Sequence, residues 1–142
     1  MTYSRGNHQA SILPNGKVLI SGGRYRHRLF LDSAELYDPL TGDWTKTGDM
    51  NIEREGHQSS VLLDGKVLIN GGSNKYGFLN NTELYDTSTR DWTVTGDMNF
   101  KRSEHSSSTL PSGKVLVAGG WDVFADFAAL GNAELYDPLT GH

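Results

Sequence analysis

The sequence predicts an all-β chain built from three consecutive four-stranded antiparallel units. Gly-Lys-Val-Leu recurs at residues 16–19, 65–68 and 113–116, at spacings of 49 and 48 residues, and self-similarity at a fixed period marks a repeat architecture. Glycine is abundant, 17 residues against 4 prolines, and separates short Val/Leu/Ile runs, as short strands joined by tight turns require. No stretch sustains apolar residues at i, i+3, i+4 and i+7, so almost no helix is expected.

The other landmarks keep one order. A Gly-Gly pair follows each apolar run, at Gly22-Gly23, Gly71-Gly72 and Gly119-Gly120. Glu-Leu-Tyr-Asp follows at residues 35–38, 83–86 and 134–137, and Asp-Trp-Thr at 43–45 and 91–93. Thr-Gly-Asp-Met closes the unit at 47–50 and 95–98. Arg5, Arg54 and Arg102 each lie four residues after a methionine, and His8, His57 and His105 three residues further on. The chain therefore reads as one partial domain, 1–142, with repeats 1–49, 50–97 and 98–142. The third tryptophan would fall one position beyond His142, so the last unit is expected to be incomplete, without its fourth strand.

Within a unit, residues 8–13 alternate polar and apolar and read as the first strand. Pro14-Asn15-Gly16, Asp64-Gly65 and Ser112-Gly113 make the following turn. Residues 17–21 are nearly continuous Val/Leu/Ile, as in a strand covered on both faces. A loop is expected after Gly-Gly, then a third strand at 34–38, an Asp38-Pro39-Leu40-Thr41-Gly42 turn, and a fourth strand carrying Trp44. The second repeat puts Arg90 where the first has Gly42; a left-handed conformation there costs roughly 1 kcal/mol. Four strands repeated at this period form a propeller blade.

Charge and composition narrow the function classes. A net charge of −4 argues against nucleic acid or an anionic membrane as the main partner. The absence of cysteine removes disulfides, thiolate metal sites and cysteine nucleophiles, and fits a reducing compartment. Residues 1–8 show no secretory h-region and no apolar run approaches the ~18 residues of a membrane helix, so a cytoplasmic location is expected. Asn80-Asn81-Thr82 matches a glycosylation acceptor and is read as unmodified.

Gly-Gly after an apolar strand, a tyrosine shortly before a tryptophan, and Met-x-x-x-Arg-x-x-His ahead of the next strand together resemble the kelch repeat, over essentially the whole chain. The resemblance implies three blades of a kelch-type β-propeller. Known rings use about 4–8 blades, so the expectation is either a piece of a longer propeller or a homodimer completing a six-bladed ring. It also implies a non-catalytic protein-interaction module, with a protein or acidic peptide as partner and no cofactor. The alternative is part of a larger propeller enzyme, similar to the copper oxidase acting on galactose, with catalytic residues outside this chain. That enzyme's Tyr–Cys cofactor has no cysteine here to form it, and no nucleophile elbow, metalloprotease helix, P-loop or dinucleotide fingerprint occurs. Asp122 and Asp126 form a loop carboxylate pair read as solvated rather than catalytic.

Contact candidates come from the segments that differ between repeats, since loops on a rigid scaffold carry binding and Tyr, Trp and Arg dominate hot spots. They are Arg24, Tyr25, Arg26 and Arg28 after the first Gly-Gly, Tyr76 after the second and Trp121 after the third. Phe30, Phe78 and Phe127 are expected to pack between blades. Arg5, Arg54 and Arg102 have two readings. In some kelch substrate adaptors the matching arginine grips acidic peptides by bidentate pairing; alternatively each pairs within the scaffold with Glu35, Glu83 or Glu134. His8, His57 and His105 recur once per blade, which spreads them around a ring and favours framework roles over a shared metal.

Overall fold

The computed structural model describes residues 1–27, 29–122 and 128–142. The first blade contains β1 (Gln9–Ile12), β2 (Val18–Ser21), β3 (Arg24–Tyr25), β4 (Leu29–Phe30), β5 (Ala34–Asp38) and β6 (Asp43–Lys46). The second contains β7 (Gln58–Val61), β8 (Val67–Asn70), β9 (Ser73–Asn74), β10 (Gly77–Phe78), β11 (Thr82–Tyr85) and β12 (Trp92–Thr95). In the third are β13 (Ser106–Thr109), β14 (Val115–Ala118), β15 (Trp121–Asp122), β16 (Ala128–Ala129) and β17 (Ala133–Tyr136). The main sheets run β1-β2-β5-β6, β7-β8-β11-β12 and β13-β14-β17, every pairing antiparallel. No helix occurs among the described residues, and so none long and apolar enough to cross a membrane.

Register repeats from blade to blade. Val18 pairs with Tyr37, Val67 with Tyr85 and Val115 with Tyr136. Tyr37 opposes Trp44 and Tyr85 opposes Trp92, with ring centroids 5.0 and 4.9 Å apart. Each core lies between neighbouring sheets rather than within one. Leu13, Leu19, Ala34 and Leu36 of the first blade close on Val67, Ile69, Tyr85 and Trp92 of the second. Leu62, Leu68 and Leu84 of the second close on Val115, Val117 and Tyr136 of the third. Polar anchors fix this stacking: the Tyr85 hydroxyl lies 2.6 Å from Thr47 Oγ1, Tyr136 repeats the contact with Thr95 at 2.8 Å, and Trp92 Nε1 donates to Gly48 O at 2.8 Å.

One expectation is corrected here. The segment after Gly-Gly is not an irregular loop but a short two-stranded ribbon: β3–β4, β9–β10 and β15–β16. Bridges from Gly6 to Arg24, Glu55 to Ser73 and Ser103 to Trp121 tie each ribbon to the segment entering its own blade. Two-residue strands are too short to show a period of two, so the alternation signal has nothing to act on.

The Gly-Gly pairs are needed for close approach as well as for conformation. Gly71 has φ +60°, and a Cβ there would sit 2.5 Å from Arg102 O and 2.8 Å from His105 Cε1 of the next blade. Gly16, at φ +82°, has open space around it. Gly71→Ala is therefore expected to destabilise well beyond the roughly 1 kcal/mol of left-handed strain that Gly16→Ala incurs; urea unfolding midpoints of the two variants would show the gap. Arg90 does adopt the left-handed conformation, φ 66°, beside 78° for Gly42.

Candidate functional site

The arginines after each methionine are built into the blades. Arg54 donates from Nη1 to Gly71 O at 2.8 Å and Asn81 O at 3.0 Å, and from Nη2 to Glu83 Oε1 at 2.9 Å. Arg5 reaches Gly22 O, Ser33 O and Glu35 in the same way, and Arg102 reaches Gly119 O and Glu134. All three side chains are fully excluded from solvent. The glutamates are shared: Glu83 also accepts the Asn51 and Ile52 amides, and Glu134 those of Asn99 and Phe100. Burial alone would raise the Glu134 carboxyl; the Asn99 amide and the Arg102 guanidinium more than offset this and hold it below its usual value. A guanidinium in this setting has no face to offer a peptide. Of the two readings of Arg5, Arg54 and Arg102, the geometry fits pairing with Glu35, Glu83 and Glu134, and the partner-contact expectation for these three is withdrawn.

His105 Nε2 lies 2.5 Å from Asn70 Oδ1 of the preceding blade, and His57 Nε2 lies 3.3 Å from Ser21 Oγ. An amide oxygen only accepts, so Nε2 of His105 carries a proton. Burial, reinforced by the Arg102 charge, lowers its pKa to about 4; burial and Arg54 push His57 well below the ordinary imidazole value. Among the described residues no three His, Asp or Glu side chains are close enough to share a metal ion.

The three ribbons carry the remaining candidates. Arg26 lies over the Tyr25 ring, 5.0 Å from its centroid, and Lys75 lies over Tyr76 at the same distance. Tyr76 is 84% exposed, and Trp121 on β15 is also exposed. Lys75 and Glu53 were not singled out from the sequence; they pair at 3.1 Å and, with Tyr76, line a cleft that Asp32, Ile52 and Leu79 complete. The hydrogen bond to Glu53 raises the Lys75 pKa, so this lysine stays charged. Arg24 is half-buried and joins blades one and two, its Nε 3.2 Å from Glu55 Oε2, which also accepts from Asn7. Gly6, Asn7, Arg24, Arg26 and His27 line a second cleft at the first ribbon. Phe30 and Phe78 are partly buried on β4 and β10. Arg28, Phe127 and Asp126 lie outside the described residues.

The repeated Arg–Glu pair, the Gly-Gly seat and the Tyr–Trp contact therefore recur as one constellation. Residues 6–51 and 56–99, more than half of the chain, match the family described as the kelch motif. The chain belongs to the kelch-repeat family. A search of the curated proteins finds no match. Kelch repeats generally serve as protein-interaction modules and are typically non-catalytic. The third kelch unit lies outside the matched segments but keeps the Arg102–Glu134 pair and the Val115–Tyr136 register.

Proposed function

We propose that this kelch chain is a non-catalytic interaction module that receives an acidic segment of a partner protein on its ribbons. The observation that carries the reading is the repeated Tyr–cation pair, Tyr25 with Arg26 and Tyr76 with Lys75, presented on neighbouring ribbons. Flat aromatic area beside a fixed cation is what hot spots use against carboxylates. Trp121 extends the surface onto the third blade, and Arg24 holds the first ribbon to the second blade through Glu55.

Fluorescence polarisation with labelled Glu/Asp-rich peptides tests this. Binding is expected to weaken with added salt, because exposed charges are screened. Arg26→Glu combined with Tyr76→Ala is expected to weaken it at least about tenfold, since hot-spot losses reach 2 kcal/mol or more, with the unfolding midpoint unchanged. Equal affinity for parent and variant, or equal affinity for Lys-rich peptides, would contradict the proposal.

A further inference from the structure

We infer that the cleft at the first ribbon is a phosphate site, which takes a phosphoserine or phosphothreonine carried by the acidic segment of the partner; the inference rests on the function proposed above and names the group that segment delivers. Gly6, Asn7, Arg24, Arg26 and His27 line this cleft, with no carboxylate among the described residues at its wall. Arg24 meets Glu55 through Nε at 3.2 Å, and Asn7 Nδ2 donates to the same oxygen at 3.0 Å. Glu55 itself is buried. It therefore orients Arg24 without entering the cleft, and the contact at Nε leaves the Nη nitrogens, the edge that meets an anion. Arg26 supplies a second guanidinium, set over the Tyr25 ring at a left-handed residue, φ 58°. Both bonds to Glu55 reach the second blade, so the cleft sits at the junction of the first two blades.

The framework does not account for this combination. The bridge that joins Gly6 to Arg24 joins Glu55 to Ser73 in the second blade and Ser103 to Trp121 in the third, so neither the glycine nor the arginine is needed to hold a ribbon in place. Gly6 does not adopt a positive φ, and a Cβ added there would meet nothing within 4 Å. Its missing side chain leaves the cleft open where the second blade carries a carboxylate. The ligand follows from the donors. Two guanidinium groups and the ring N–H of His27 offer more hydrogen bonds than the two oxygens of one carboxylate can use. A phosphate monoester brings three acceptor oxygens and a charge of about −1.5 to −2 at neutral pH, and guanidinium groups suit phosphate by their planar fork. The second ribbon has Ser73 and Lys75 in place of the two arginines, which fits the carboxylates of the same segment.

Fluorescence polarisation with the full chain tests the inference. The probes are labelled Glu/Asp-rich peptides identical except at one position, which carries serine, glutamate or phosphoserine and is stepped along the peptide. At one register phosphoserine is expected to bind at least about tenfold more tightly than either counterpart, as a hydrogen bond between charged groups allows. Gly6→Glu puts the second blade's residue into open space and is expected to bring the phosphoserine-to-serine affinity ratio close to one, with the urea unfolding midpoint unchanged. Reading the ratio within each protein removes any general effect of the added charge. Serine peptides that bind while phosphoserine gains nothing over glutamate at any register, or a gain that survives Gly6→Glu in full, would overturn the inference and leave the proposed function standing. Phosphoserine peptides that bind where serine and glutamate peptides do not would support the phosphate site and contradict the broader reading. No binding by any of the three would overturn both.

Discussion

Replacing Arg54 with alanine is expected to cost about 3–5 kcal/mol of unfolding free energy, the range for removing one partner from a buried ion pair. Both side chains of the Arg54–Glu83 pair are fully excluded from solvent, so the abandoned carboxylate would be left charged in the interior. The damage spreads further because Arg54 also satisfies the carbonyls of Gly71 and Asn81. Glu83 in turn holds the amides of Asn51 and Ile52, which lead into the second blade. One guanidinium thus ties together the entering segment, the end of β8 and the start of β11. Lys46→Ala provides the comparison: its bond to Asp49 is 3.2 Å long but exposed, and such pairs contribute about 0–1 kcal/mol. Urea titrations followed by circular dichroism would separate the two. Arg102→Ala is expected to fall slightly below Arg54→Ala, since Glu134 retains some contact with water.

Acid is expected to weaken the fold from about pH 6.5 downward, through the histidines before the carboxylates. His57 and His105 have folded pKa values below the ordinary 6.5, with His105 at about 4. Between those values the unfolded chain binds a proton that the folded chain refuses, so stability falls as pH falls. For His105 the loss across that window approaches about 3 kcal/mol, at 1.36 kcal/mol per pKa unit. The physical cause is local. Nδ1 of His105 is buried without a protein partner, and a proton placed there would add an unpaired charge beside Arg102. Glu134, held below the usual carboxylate range, loses its contribution only at lower pH, which keeps the two phases apart. His105→Gln retains a side-chain N–H for Asn70 and is expected to flatten the dependence between pH 6.5 and 4. A profile identical to that of the parent chain would assign the acid sensitivity elsewhere.

Much of the framework is legible in the sequence because it is written once per repeat. The third strand of the first blade, β5, spans the expected residues 34–38, and β2 is shorter than expected by one residue. The left-handed Arg90 follows from its alignment with Gly42. Pairing of the repeated arginines with the repeated glutamates was one of two readings, and spacing alone could not decide between them. Whether a guanidinium faces a channel or a carboxylate depends on how β11 and the entering segment cross, which is a tertiary fact. The proposed contact surface draws on the sequence in part, for the same reason. Tyr25, Arg26 and Tyr76 stand out as residue types in a variable segment, whereas Glu53 belongs to the entering segment and is brought to Lys75 only by the fold. Likewise, the role of Thr47 and Thr95 as hydrogen-bond partners of the next blade's tyrosine becomes visible only once the sheets are stacked.

The central claim is a division of labour: the arginine after each methionine holds the kelch blade together, and the proposed partner surface lies apart from it on the ribbons. Unfolding Arg54→Ala and Arg26→Ala side by side in urea tests it most directly. The account predicts a loss of about 3–5 kcal/mol for Arg54→Ala and a change within about 0.5 kcal/mol for Arg26→Ala, as for surface substitutions generally. Parental stability in Arg54→Ala, or an equal loss in both variants, would contradict it.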